Sequence, residues 1–209
     1  MAASTHDPDH ALSPEDSLAL IDAQRRTTQR RLRPHPLALF LPWGLVYVVA
    51  FGAVWLTLGP GLLPAPATVV VVALAVVGAV ATMLTALVRS HHGVEGPTRR
   101  VATRYGGSWA LAFATLGVVN SQLIGLGVAP TTISLIWSSS ALIVVGLLTL
   151  AGGLLWPGSG QYVLGVWILV SAALSIIVGY PTNFLVLSLA GGGGFVVLAL
   201  VAWARGRQT

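Results

Sequence analysis

The residues with the greatest capacity for chemistry in this sequence are uncharged polar side chains that lie within long apolar tracts. An amide or hydroxyl within the hydrocarbon of a membrane must have a hydrogen-bond partner or line a water-filled cavity. Two clusters of such residues occur, one with two amides and a hydroxyl and the other with an indole and two hydroxyls, and they are predicted to line a pathway for an uncharged solute. They are Asn120, Ser121, Gln122, Trp137, Ser138 and Ser139.

Four consecutive glycines, Gly191 to Gly194, interrupt the last apolar tract. Each glycine costs a helix about 1 kcal/mol relative to alanine. The run therefore predicts a kink, an unwound stretch or a close packing surface. Interrupted helices border the substrate site of many transporters, so Gly192 and Gly193 are predicted to border the same pathway.

Charged residues show which chemistry this chain is not expected to perform. No Asp, Glu, Lys, Arg or His lies within the apolar tracts, although proton relays and general acid–base catalysts need such groups. The chain is not expected to be an enzyme, and no cofactor or metal is predicted. A membrane enzyme acting on lipid, the third alternative, would have to use His91, His92, Glu95 and the arginines of the same loop.

Composition indicates the elements that must position these side chains. The chain has 209 residues, 55% of them hydrophobic and only 8% charged, against about 25% charged in soluble domains. A helix needs roughly 20 apolar residues to cross a bilayer, and six tracts qualify. The expected fold is an all-α integral membrane protein with a bundle of six transmembrane helices. The spans are residues 37–58, 68–88, 107–128, 133–156, 162–179 and 184–204.

The arginines predict the orientation of these spans. All 11 basic residues are arginines, and they occur only in residues 1–36, 89–106 and 205–209. Basic residues near span ends are retained on the cytoplasmic side, so both termini are predicted to be cytoplasmic. The arginine-only composition favours a bacterial cytoplasmic membrane, and nucleic acid is not an expected partner. The three opposite loops carry no charge, and they are residues 59–67, 129–132 and 180–183.

The cytoplasmic N-terminal segment, residues 1–36, is predicted to contain a short amphipathic helix over about residues 14–32. Ser13 is a capping residue and Pro14 suits the first helical position. Basic side chains near the membrane attract anionic headgroups. Five arginines are therefore predicted to hold lipid headgroups or to dock a partner. They are Arg25, Arg26, Arg30, Arg31 and Arg33.

Small residues at four-residue spacing let helix backbones approach closely. Two such ladders predict helix packing, one on the third span and one on the fifth. They are also compatible with a homo-oligomer or a membrane partner subunit. The predicted packing residues are Gly117, Gly125, Ser171, Ser175 and Gly179.

Two functions follow from these patterns. The first is a small multi-pass transporter or channel-like protein for an uncharged or lipophilic solute. The alternative is an accessory or regulatory membrane subunit that docks a partner through its arginine-rich helix. The structural interpretation of the same polar residues is that they hold helices together, at about 0.6 kcal/mol each.

Overall fold

The computed structural model describes residues 13, 15, 17–20, 36–90, 97–156 and 160–206. The chain forms two compact units, Met1–Pro34 and His35–Thr209. In the first unit the described residues 15 and 17–20 are helical, and the Ser17 N–H donates to the Ser13 carbonyl at 2.9 Å. The five arginines predicted to bind headgroups lie outside the described residues.

The second unit consists of helices joined by short connections, and its described residues contain no strand. The last helix, α6, is continuous but changes its winding twice. The elements are α1 (Pro36–Leu58), α2 (Ala65–Ser90), α3 (Pro97–Gly125), α4 (Pro130–Leu155), α5 (Gln161–Val178) and α6, which comprises α-helical Asn183–Val186, π-helical Leu187–Gly192 and α-helical Gly193–Gly206.

Four of these helices are long and apolar enough to cross a membrane. They are found at Phe40–Leu58, Pro130–Leu155, Gln161–Val178 and Asn183–Arg205. Helix α2 contributes a shorter apolar stretch, Ala65–Ala81. The remaining helix, α3, has arginines in its first two turns and two amides further along. The predicted all-helical, membrane-compatible character is confirmed for the described residues.

The six helices pack in the order α2, α1, α6, α5, α4, α3. Neighbours in this row run antiparallel. The end of α1 lies beside the start of α6, where Phe51 stacks on Phe184. Likewise Ser139 near the start of α4 meets Ser175 near the end of α5. Helices α2 and α3 therefore lie at the two ends of the row, and each packs chiefly on one partner.

The best-buried apolar side chains come from the middle of the row. Leu142 of α4, Ile168 of α5 and Leu187 of α6 are almost completely buried. Large apolar side chains elsewhere are exposed, including Leu111 and Ile177. An exposed apolar surface of this extent suits a hydrocarbon solvent better than water.

Helix α6 packs closely between α1 and α5 at its glycine run. A Cβ atom at Gly192 would lie 2.8 Å from the Val48 nitrogen and 3.0 Å from the Gly44 carbonyl oxygen, both on α1. A Cβ atom at Gly194 would lie 2.5 Å from a ring carbon of Trp167 on α5. The sequence predicts a kink, an unwound stretch or a close packing surface for this run. In the structure Gly192 and Gly194 pack closely, and the run overlaps the end of a π-helical turn that ends at Gly192.

Two hydrogen bonds hold the π-helical turn to its neighbours. The Trp167 indole N–H donates to the Ala190 carbonyl at 2.9 Å, and the Ser188 hydroxyl donates to the Val48 carbonyl at 2.8 Å. A π-helical turn inside an α-helix is rare and occurs frequently at functional sites. The turn is here tied to α5 on one side and to α1 on the other.

Candidate functional site

Three consecutive serines of α4 each contact a different neighbouring helix. Ser138 accepts a hydrogen bond from the Asn183 amide of α6 at 3.0 Å. The Ser139 and Ser175 hydroxyls, on α4 and α5, lie 3.3 Å apart. Ser140 accepts a hydrogen bond from the Asn120 amide of α3 at 3.2 Å. Ser138, Ser139 and Ser140 are called the serine hub below.

The hub connects α4 to three other helices because consecutive helical residues point about 100° apart, at 3.6 residues per turn. Its outer two hydroxyls donate within α4, from Ser138 to Leu135 at 3.1 Å and from Ser140 to Ile136 at 2.6 Å. Their lone pairs are thereby left to receive the two asparagine amides. All of these groups are neutral, so the hub holds hydrogen-bonding capacity without charge.

The middle contact of the hub has a defined direction. The Ser175 hydroxyl donates to the Ala172 carbonyl of its own helix at 2.7 Å. Ser139 is therefore the donor in the contact between α4 and α5. Both serines are buried, and a buried hydroxyl without a partner would cost about 1–3 kcal/mol.

The hub lies near one end of the bundle, where α3 and α5 end and α4 and α6 begin. It follows Pro130, the first residue of α4, by roughly 12–15 Å at about 1.5 Å per residue. Asn183 is the first residue of α6. The hub thus lies inside the bundle, towards the end that carries the turns joining α3 to α4 and α5 to α6.

The structure separates the predicted pathway residues of α3. Asn120 is buried against α4, whereas Ser121 and Gln122 are exposed. The Ser121 hydroxyl donates to Val118 of its own helix at 2.8 Å. Because the three positions are consecutive, a helix cannot turn them all to one neighbour. Only Asn120 joins the hub.

The other predicted pathway residues are also divided. Ser138 and Ser139 belong to the hub, whereas Trp137 is 38% exposed. Gly192 packs against α1 rather than against the hub helices α4 and α5. A Cβ atom at Gly193 would meet no atom within 4 Å. The eight residues therefore do not form one continuous lining.

The predicted packing residues have different roles in the structure. Ser171 and Ser175 are buried on α5. Cβ atoms at Gly117 and Gly125 would meet no atom of the described chain within 4 Å. Gly179 has φ +75° and terminates α5. Its role is conformational, because glycine adopts positive φ without a steric cost.

Sequence reasoning missed Asn183 as a member of the site. The sequence predicts that Asn183 lies in the 180–183 turn, but the structure places it at the start of α6 and completely buried. The available signal was an amide immediately before an apolar tract. A further missed contact joins α3 to α4, where the Tyr105 hydroxyl donates to the Leu148 carbonyl at 2.7 Å.

Metal binding finds no support in the described part of the chain. No group of three or more His, Cys, Asp or Glu side chains is placed there to hold an ion. His91, His92 and Glu95 lie outside the described residues. The hub itself offers hydroxyls and amides, which form hydrogen bonds but are not the ligands that transition metals prefer.

No family model, curated protein or solved structure matches this chain.

The different positions of the two α3 amides lead to a stability prediction. Asn120→Leu removes the bond to Ser140 and is expected to destabilise the protein by about 0.6–1.7 kcal/mol, the range of interhelical hydrogen bonds. Gln122→Leu replaces an exposed amide and is expected to be neutral or slightly stabilising. Thermal unfolding of the purified variants in detergent, followed by circular dichroism, measures both effects. An equal or larger loss in Gln122→Leu would contradict the assignment.

Proposed function

We propose that this protein is a small multi-pass membrane transporter or channel-like protein for an uncharged solute. The observation that carries this proposal is the serine hub, where neutral hydroxyls and amides of four helices meet in a largely apolar bundle. Such groups can replace the hydration of an uncharged polar solute. They lack the charge or the carbonyl rings with which selective pores replace the hydration of an ion.

Exchange of hydrogen bonds is the proposed mechanism of passage. Each hub contact is a neutral interhelical bond, worth about 0.6 kcal/mol in a membrane protein. A solute that offers its own donor or acceptor can take the place of one such bond at little cost. Because α4 holds α3, α5 and α6 through separate serines, one contact can open while the other two keep the helices together.

The proposal includes a six-span topology with both termini in the cytoplasm of a bacterium. Four helices have the length and apolar character of spans. Helices α2 and α3 have 26 and 29 residues, long enough for about 30 Å of hydrocarbon at about 1.5 Å per residue. The arginine distribution supports the same arrangement, because an even number of spans keeps every arginine on one side.

Reconstitution into liposomes tests the transport function. Glycerol and urea serve as uncharged probes, and stopped-flow light scattering measures how fast the vesicles swell. Vesicles with protein are expected to swell faster than protein-free vesicles. Ser139→Ala removes the donor of the α4–α5 contact, and the rate is expected to fall roughly threefold, the factor for one interhelical hydrogen bond of about 0.6 kcal/mol.

Ser121→Ala is the matched control, because Ser121 is an exposed serine that bonds only within its own helix. Its rate is expected to equal that of the unmodified protein. Equal rates in Ser139→Ala and Ser121→Ala would refute the role of the hub. Rates equal to those of protein-free vesicles for both probes would refute transport of this kind of solute.

An accessory membrane subunit is the second candidate, and one observation favours it. Helix α3 lies at the end of the row, and Cβ atoms at its four glycines would meet no atom within 4 Å in the described chain. Small residues on a helix face allow close approach of another helix, from a second copy or a partner subunit. Absence of flux in the liposomes would favour this candidate. The glycines are Gly106, Gly107, Gly117 and Gly125.

A further inference from the structure

Asn183 combines complete burial with an acceptor that the chain does not use. Its residue exposure is 0%, and its amide nitrogen donates to Ser138 at 3.0 Å. Its carboxamide oxygen, Oδ1, is also buried, and no described residue donates a hydrogen bond to it. Nearly all buried polar groups in proteins have a partner. This oxygen is therefore an unused buried acceptor among the described residues.

Other buried polar side chains in this region make hydrogen bonds within the protein. Ser139 contacts Ser175, and Ser188 donates to the Val48 carbonyl on α1. Asn120, the other asparagine of the hub, donates to Ser140. The neighbouring buried polar side chains therefore have hydrogen-bond partners. The Oδ1 atom of Asn183 differs from them in having none among the described residues.

Exposed residues lie next to Asn183 along the chain. It is the first residue of α6, and its neighbours Tyr180 and Thr182 are exposed in the preceding turn. Its partner Ser138 is partly exposed, and Trp137 beside it is exposed. Exposed and partly exposed residues therefore flank the buried amide on α4 and on the α5–α6 turn.

We propose that Asn183 Oδ1 accepts a hydrogen bond from an uncharged solute that carries an O–H or N–H donor, such as an alcohol or an amide. This inference rests on the proposed transport function and names the class of solute. A solute that can only accept hydrogen bonds cannot pair with an acceptor. The site therefore selects donors over acceptor-only solutes of similar size.

Selective isotope labelling tests the site directly, because the chain contains two asparagines, Asn120 and Asn183. Protein labelled with 13C at the asparagine carboxamide gives two side-chain carbonyl signals in solid-state NMR. Loss of one signal in Asn183→Leu assigns them. Titration with ethylene glycol, a donor, is expected to shift the Asn183 signal to saturation and to leave Asn120 unchanged. Dimethyl sulfoxide, an acceptor only, is expected to shift neither.

Water offers the same O–H donor, and the experiment separates it from a solute. If water is the occupant, replacing H2O by D2O changes the Asn183 signal while ethylene glycol has no saturable effect. That result overturns the solute site. So does an equal response of both asparagines to ethylene glycol, or an equal response of Asn183 to both probes.

Flux in liposomes provides the second measurement. Asn183→Leu is expected to lower ethylene glycol entry roughly fivefold, the factor for one neutral hydrogen bond, and to leave dimethyl sulfoxide entry unchanged. Ser171→Ala is the control, because Ser171 is a buried serine that bonds only to Trp167 of its own helix. Equal losses for both probes in Asn183→Leu would indicate a structural role and overturn the site.

Failure of the site and failure of transport give different results. Flux without a response of the Asn183 signal leaves the transport proposal standing and removes this site. A saturable Asn183 shift without flux keeps the site and removes transport. Should Asn183→Leu fail to fold, Asn120→Leu assigns the two signals by elimination, and the labelled unmodified protein decides the question.

Discussion

Gly165→Leu is expected to destroy the folded α4–α5 pair. A Cβ atom at Gly165 would lie 2.5 Å from the Leu150 nitrogen and 2.7 Å from its Cα. These are backbone atoms, which cannot turn aside as the end of a side chain can. Overpacking costs about 1–3 kcal/mol and sometimes more, and here a whole leucine must enter a backbone contact.

The same helix pair has further close contacts that the substitution would disturb. A Cβ atom at Gly153 would clash with the Tyr162 backbone, and one at Gly146 would lie 2.9 Å from the Leu169 side chain. Separation of α4 from α5 would also break the Ser139–Ser175 contact of the hub. Size-exclusion chromatography in detergent is expected to show aggregated Gly165→Leu protein with little remaining in the folded peak.

Gly117→Leu is the matched control for this experiment. It makes the same substitution within a helix, but a Cβ atom at Gly117 would meet nothing within 4 Å in the described chain. Its folded peak and melting temperature are expected to remain close to those of the unmodified protein. A comparable loss of folded protein in both variants would show that the α4–α5 glycine contact is not the cause.

Gly192→Ala and Gly193→Ala are expected to change stability in opposite directions although they are neighbours in the sequence. Alanine favours a helix over glycine by about 1 kcal/mol, and both variants receive this gain. At Gly192 the added Cβ would lie 2.8 Å from the Val48 nitrogen and 3.0 Å from the Gly44 oxygen. At Gly193 it would meet no atom within 4 Å.

The balance of these two terms sets the expected result. Overpacking of about 1–3 kcal/mol exceeds the helix gain at Gly192, so Gly192→Ala is expected to lower the melting temperature in detergent. Gly193→Ala is expected to raise it. If both substitutions raise the melting temperature, the close approach of α6 to α1 does not occur. If both lower it, the flexibility of the whole run matters more than the packing of one residue.

The helical fold was accessible from the sequence because hydropathy and helix breakers act locally. The tract predicted at 37–58 ends at the last residue of α1, Leu58, and the tract at 133–156 corresponds to Pro130–Leu155. The number of spans stays a prediction at six, since four helices meet the length and apolarity of a span. Arginines and amides reduce the apolar character of α3, which makes this helix less distinct than the others.

The site was only partly accessible from the sequence. Polarity within an apolar tract selected Asn120, Ser138 and Ser139, which the structure brings into one network. The same signal selected Gln122, which is exposed. It also overlooked Asn183, because a polar residue at the end of a tract resembles an ordinary turn residue.

By itself the sequence determined which segments are helical and which of their residues carry hydrogen-bonding groups, because both depend on the residues and their near neighbours. Only the tertiary structure decided which side of each helix is buried. A helix that is apolar on all sides has no polar face to mark the one that meets solvent. The choice between Asn120 and Gln122, or between Gly192 and Gly193, therefore depends on the neighbouring helix, and a rotation of about 100° per residue separates a hub residue from an exposed one.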